Sequence, residues 1–413
     1  MESLIYVHPS GVRLAERRLR ACEAGASVTL IAEEAALPAA NALRDHFPAV
    51  TAVRTVDDAA AGDVGILPET QEHGRDARAT SSRIVMPLSL DTIPMEHQFP
   101  VGLPQVAPWY DTVRRLWRQG FREFEFYSLS GSRLLRVPHL LDAFRDAHKG
   151  RRCFIAGNGP SLNAIDMTRL RDEIVLGANR CYLGFEDWGF AFPYWGVSDR
   201  LQIEEYGPEY EMHIPRETVK FFSFEYLPLL EFEAGCPVHL DWPRAANREF
   251  STDPARLLVG YTVTYMLLQI AAVMGCDPII LIGVDHRYDL RKTQRLRRMA
   301  RLGGRWLARR YDDRAWYKAA RAAAREIARA RREAGKGGPR RFWVSKDATR
   351  PTHFDARYAT GEQKRFLMPR PLDAEKDFAC AARWAEEHGV RILNATPRSA
   401  LTAFPMVEFD ALF

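Results

Sequence analysis

Short apolar runs separated by stretches of helical spacing recur along the whole chain. In the first 148 residues the runs 4–7, 28–32, 64–67 and 84–88 are rich in β-branched and other apolar side chains, which predicts strands. Segments 11–24, with Gly25 placed to stop it, and 39–47 carry helical spacing between those runs. Strands alternating with helices make this an α/β layer around a largely parallel sheet. It contains no Gly-rich phosphate loop and no paired polar cluster, so 1–148 reads as an N-terminal α/β domain without an assigned role.

A second α/β unit, 149–413, repeats the pattern with a difference. Its apolar runs are only four residues long or so, as in Cys153–Ala156, 174–176, Tyr194–Val197 and Ile279–Ile282, which suits strands buried on both faces. A mostly apolar helix is predicted over 261–274, stopped by Gly275, and a helix and strand over 374–388 and 390–393 end the chain. Each predicted strand ends in small or polar residues: Gly157-Asn-Gly-Pro-Ser161, Gly177-Ala-Asn179, Ser198-Asp199 and Gly283-Val-Asp285. Open α/β sheets bind ligands beyond their strand C-termini, so this half is the catalytic candidate. The predicted fold is α/β: a Rossmann-like, mostly parallel catalytic sheet, an additional N-terminal α/β domain and a helical insertion.

That insertion, 291–341, stands out by charge. It holds 19 Lys and Arg against 4 Asp and Glu, a net +15, so the remaining residues of this +5 chain carry −10. Trp316, Ala319, Ala323, Ile327 and Ala330 form one helical stripe, with Arg321, Arg325, Arg329 and Arg332 on another face. Such a helix can pack its small apolar stripe with no partner, or can lie on an anionic membrane surface or receive an anionic acceptor. Nucleic acid is not an expected partner, because the rest of the chain is acidic and carries no nucleic-acid motif.

With 413 residues, 46% of them hydrophobic and 27% charged, the chain can bury a sizeable core, which excludes collagen-like, disordered and coiled-coil classes. No run reaches the roughly 18 apolar residues of a membrane span. The opening residues MESLIYVHPSG have neither a basic nor an apolar signal region. The six cysteines include no C-x-x-C pair or zinc-like cluster. A cytoplasmic location, extending to the inner face of the membrane, is expected.

The junction after Cys153–Ala156 carries the most chemistry. Gly157 and Gly159 clear space for a ligand, Pro160 suits a first helical turn, and Asn158 and Ser161 add polar side chains. With free N–H groups at the helix start predicted from 162, this reads as an anion loop suited to phosphate. A dinucleotide fingerprint is not matched, since residue 162 is Leu.

Phe154-Ile-Ala-Gly-Asn-Gly-Pro-Ser-Leu162, with Ile165-Asp166 and Arg169-Leu170, resembles the opening of bacterial lipooligosaccharide sialyltransferases. It also resembles two related groups, flagellin-glycosylating motility accessory factors and archaeal 6-hydroxymethylpterin diphosphokinases. The resemblance continues through Ala178-Asn-Arg180, Gly260-Tyr-Thr-Val-Thr264, Leu281-Ile-Gly-Val-Asp285 to Tyr288, Thr352-His-Phe354 with Tyr358, and Asn394-Ala-Thr-Pro397 with Ser399-Ala-Leu401. It covers about 200 residues, 151–290 and 342–404.

The resemblance implies an inverting glycosyltransferase that moves a nonulosonic acid, sialic acid-like or Kdo-like, from a CMP-sugar to a glycan or anionic glycolipid. Asn158, Gly159 and Ser161, flanked by Gly157 and Pro160, would contact phosphate or ribose, Asn179 the nucleotide, and Thr262 the donor. Tyr288 matches a tyrosine that steadies the departing phosphate, whereas the partner expected near Ile280 is apolar here, and Ser198-Asp199 replaces an Asn. His353 matches the family's general base, and an imidazole with an ordinary pKa near 6.5 suits that task at neutral pH. His286 is the rival base. Asp285 can cap a helix or orient a catalytic group, readings preferred to a metal ligand. No tightly bound cofactor and no metal are expected. The alternatives are pyrophosphate transfer from ATP to a pterin, needing Mg²⁺ with Asp199 and Asp285 as acidic ligands, and a catalytically silent nucleotide- or glycan-binding module.

Overall fold

The computed structural model describes residues 2–7, 15–16, 19–20, 27–32, 34–55, 83–89, 107–128, 131–230, 232–241, 248–287, 342–343, 353–358, 366–367 and 370–413. The expected strand at 64–67, the whole insertion 291–341 and Tyr288 lie outside these residues.

The first 136 residues build one six-stranded sheet from β1 (Glu2–Val7), β2 (Ser27–Ala32), β3 (Val50–Thr55), β4 (Arg83–Ser89), β5 (Glu123–Ser128) and β6 (Gly131–Arg136). The strand order is β3-β2-β1-β4-β5-β6, with every neighbouring pair parallel except the β5–β6 hairpin. Helix α1 (Leu37–His46) joins β2 to β3 and buries Ala40 and Leu43. Helix α2 (Ala107–Arg118) precedes β5, and its buried Tyr110, Val113 and Leu116 join an apolar cluster that continues to Phe154, Val175 and Trp195 of the second sheet.

That second sheet has seven strands, all parallel: β7 (Cys153–Ala156), β8 (Ile174–Ala178), β9 (Tyr194–Val197), β10 (Val219–Ser223), β11 (Gly235–Val238), then, beyond a two-strand pair β12 (Leu240–Asp241) and β13 (Leu257–Leu258), β14 (Ile279–Ile282). A short pair, β15 (Phe342–Trp343) and β16 (Phe366–Leu367), precedes the last sheet strand, β17 (Ile392–Asn394). The order is β11-β10-β9-β8-β7-β14-β17. From β7 the chain walks outward through β8 to β11, then crosses back to β14 and β17, so the direction of winding reverses between β7 and β14. The four residues of β7 and of β14 are all buried, which explains why the runs are apolar throughout instead of alternating. Helix α3 (Arg200–His213) follows β9, α4 (Val263–Val273) precedes β14, and α5 (Pro371–His388) precedes β17. Among the described residues no helix is long and apolar enough to cross a membrane.

Candidate functional site

A topological switch point between β7 and β14 is where an open parallel sheet leaves room for a ligand. Here the two loops at that point are packed onto each other. The Gly157 and Gly159 amides donate to the carbonyls of Ile282 and Gly283, each at 2.8 Å. A Cβ on Gly157 would stand 2.4 Å from the Gly283 oxygen, and one on Gly159 would stand 1.8 Å from Asp285 Oδ2. The glycines are therefore demanded by the close approach of the chain to itself.

Asp285 occupies the place anticipated for an anion. Its Oδ2 accepts from Ser161 Oγ at 2.6 Å and from the Ser161 amide at 3.3 Å. The helix expected after the loop is a single five-residue 3₁₀ turn, Pro160–Ala164, so no long dipole stands behind those amides. The loop's donors are thus largely used within the chain, with the Asp285 carboxylate and the carbonyls of Ile282 and Gly283 among their acceptors. The C-terminal motif keeps Asp285 there. Thr396 Oγ1 accepts from the Val284 amide, Ser399 Oγ donates to the Val284 carbonyl, and the Ala400 amide donates to the Asp285 carbonyl.

Open polar capacity lies one strand over. Asn158 Nδ2 donates to the Ala178 carbonyl at 2.8 Å, while its Oδ1 is buried with no protein partner. Asn179, at the end of β8, adopts a left-handed φ of 46°, a conformation asparagine tolerates better than most residues, and its carbonyl accepts from Trp195 Nε1 at 2.6 Å. Its Oδ1 is likewise buried without a protein partner. Two strand ends thus supply two carboxamide acceptors that the fold itself leaves unused. A buried acceptor without a donor costs free energy until a ligand or water supplies one.

Residues 353–358 lie across these two strand ends. The Phe354 amide donates to the Asn158 carbonyl at 3.0 Å, Asn163 Nδ2 donates to the Phe354 carbonyl, and the Phe354 ring packs on Trp188. Tyr358 is buried with its hydroxyl 3.4 Å from Asn158 Nδ2, and its ring stacks on His353 at 3.8 Å between centroids. Burial, reinforced by the charge of Arg180, lowers the His353 pKa to about 4. The imidazole is therefore neutral at any pH above about 5, rather than poised near 6.5. Burial pushes the Tyr358 phenol well above its ordinary range.

The remaining candidates take up other places. His286, with a left-handed φ of 54°, turns its Nε2 toward Glu375 of α5 at 3.0 Å, and burial lowers its pKa. Glu375 also accepts from Thr402 Oγ1 at 2.7 Å. This contact ties His286 to α5. Thr262 caps α4, its Oγ1 accepting from the Thr264 amide. Asp199 caps α3 by accepting from the Leu201 amide at 2.8 Å; burial raises its pKa to about 6 in spite of that bond. Ser198 is half-buried beside it.

Arg180 and Glu209 also belong to this group, with no local motif in the sequence that marks them as partners. Arg180 is buried, donates from Nη1 to the carbonyls of Arg357 (2.7 Å) and Tyr358 (2.8 Å), and pairs through Nη2 with Glu209 at 2.8 Å. Its neighbour Asn179 was the only member of that strand end with an evident polar role. Glu209 sits 29 positions away on α3, where sequence spacing carries no hint of the pairing.

No family model matches the chain, and no curated protein does. Among solved structures it is similar to the MAf glycosyltransferase from Magnetospirillum magneticum AMB-1, at 10% identity and a TM-score of 0.35. The likeness covers 100% of this chain, which spans 58% of that one. What the site can do chemically rests on its own geometry. It offers two acceptors for a ligand's N–H or O–H groups, a neutral imidazole, and a buried cation near that imidazole. Among the described residues there is no group of three or more His, Cys, Asp or Glu side chains placed to hold a metal.

Proposed function

We propose that the chain is an inverting glycosyltransferase that moves a nonulosonic acid, sialic acid-like or Kdo-like, from a CMP-sugar to a glycan or anionic glycolipid. The observation that carries the reading is the pair of buried, unused oxygens Asn158 Oδ1 and Asn179 Oδ1 beside a neutral His353. Ribose hydroxyls or the exocyclic amine of cytosine supply the donors those oxygens lack, and an uncharged imidazole is the form that accepts a proton.

In this reading the bond from the sugar's anomeric carbon to the phosphate oxygen breaks, and CMP leaves with the electron pair. The acceptor hydroxyl adds to the opposite face while its proton passes to His353. The anionic donor adds negative charge to a site that contains Arg180, which offsets one cause of the low His353 pKa. Asp285 holds the Ser161 loop rather than taking part. The insertion 291–341 serves as the docking platform for an anionic acceptor or membrane surface, its +15 complementing phosphorylated glycolipid.

A second reading is pyrophosphate transfer from ATP to a pterin, in which Asp285 and Asp199 would hold the Mg²⁺ that neutralises phosphate charge, at the cost of the bonds they accept from Ser161 and Leu201. Thermal-shift titration with CMP, CDP, UDP, GDP and ATP, with and without Mg²⁺, separates the two. Metal-independent stabilisation by CMP, lost in Asn158→Ala and Asn179→Ala, is expected. A response to ATP with Mg²⁺ alone would replace the first reading by the second, and binding of CMP without turnover of any CMP-sugar would leave a silent nucleotide-binding module.

A further inference from the structure

Residues 353–358 bring His353 and Tyr358 to the asparagines, and several bonds tie the segment to the strand ends beneath. The Phe354 amide reaches the Asn158 carbonyl, and Arg357 Nη2 reaches the Leu183 carbonyl at 3.0 Å. Asp355 spends its carboxylate on Arg357, within the segment. A charged tie comes from Arg180, whose one nitrogen holds two successive carbonyls of the segment. Arg180 is itself fixed from three sides. Glu209 takes Nη2, Tyr182 Oη takes Nε at 3.1 Å, and the Tyr206 ring lies 4.2 Å from the guanidinium carbon. Tyr182 also donates to Glu209, closing the ring of contacts. A buried guanidinium with its hydrogens aimed at backbone carbonyls is a rigid, planar clamp that lysine cannot copy.

We propose that Arg180 is a positioning residue, which, braced by Glu209 and Tyr182, clamps the carbonyls of Arg357 and Tyr358 and so sets His353 and Tyr358 over Asn158 and Asn179. The assignment rests on the reading of that group as the nucleotide-sugar site, but its structural half can be measured without turnover. Amide hydrogen exchange should show Phe354 and Tyr358 exchanging about tenfold faster or more in Arg180→Met, with the β7 and β8 amides unchanged. Turnover of the CMP-sugar should fall about a hundredfold while CMP affinity stays within about threefold, the mark of a misplaced group rather than a lost ligand contact. Arg180→Lys keeps the charge without the fork and should release the segment as Met does; a Lys variant behaving as wild type would overturn the clamp. Unchanged exchange at Phe354 and Tyr358 in Arg180→Met would overturn it as well. Should the Met variant fail to fold, Glu209→Gln is expected to give the same segment-specific acceleration, and its absence decides against the proposal. If His353→Ala retains turnover while the Arg180 variants still release the segment, the reading of His353 as base fails and the clamp stands.

Discussion

Gly159→Ala tests the contact on which the site geometry depends. The backbone there is ordinary, with φ −71° and ψ 156°, so alanine meets no torsional objection. The objection is spatial: the new methyl would lie 1.8 Å from Asp285 Oδ2 and 2.7 Å from the Gly283 carbonyl oxygen. The carboxylate can rotate away, but only by leaving Ser161, and a hydrogen bond to a charged group is worth about 1.5–3 kcal/mol. The Gly283 carbonyl is backbone at the end of a fully buried strand, and forcing it aside adds about 1–3 kcal/mol of overpacking. Allowing for partial relaxation, a loss of about 3 kcal/mol or more is expected in chemical denaturation. Two comparisons calibrate it. Ser161→Ala removes only the hydroxyl bond and should cost about 2 kcal/mol. Gly389→Ala, where φ is 67° and nothing lies within 4 Å, isolates the left-handed strain at about 1 kcal/mol. A Gly159→Ala protein no less stable than Gly389→Ala, with the Ser161–Asp285 bond intact in its crystal structure, would refute the reasoning.

Two buried groups should give stability opposing slopes with pH. Asp199, raised in the fold to about 6, holds its proton more tightly folded than unfolded, so stability falls as pH rises from about 4 to 6. His353, lowered to about 4, is protonated first in the unfolded chain, so stability is lost as pH falls from about 6.5 to 4. Denaturation curves of Asp199→Asn should show a steeper rise with pH across that window than wild type, and those of His353→Gln a shallower one; parallel curves would dismiss both shifts. Addition of CMP should move the His353 C2–H titration upward from about 4, since the ligand's anion offsets Arg180, and an unmoved resonance would separate the nucleotide from this site. Deleting 291–341 should weaken binding to anionic vesicles with little change in CMP affinity, whereas unchanged vesicle binding would reduce the insertion to a structural role.

The short apolar runs made β7, β9 and β14 legible to the residue, because a strand buried on both faces has no polar alternation to blur its limits. Helix α3 was not legible. Gly207 and Pro208 interrupt its pattern, and only packing of Ile203, Tyr206 and Tyr210 into the core holds it as a helix. Strand β10 was hidden by Lys220, whose ammonium is buried but bonded to the carbonyls of Pro215, Arg216 and Thr218. At the site, the polar strand ends were readable as motifs, and the glycines as places of close approach.

What those glycines approach was not. That Asp285 fills the Ser161 loop, that His286 turns to Glu375, and that Arg180 holds a segment 177 residues away are pairings across the fold. Local sequence determines backbone preference and burial through spacing and side-chain volume. Which polar group meets which is decided by sheet order, here the reversal between β7 and β14, because hydrogen bonds act over about 3 Å and only the assembled sheet brings those residues within reach.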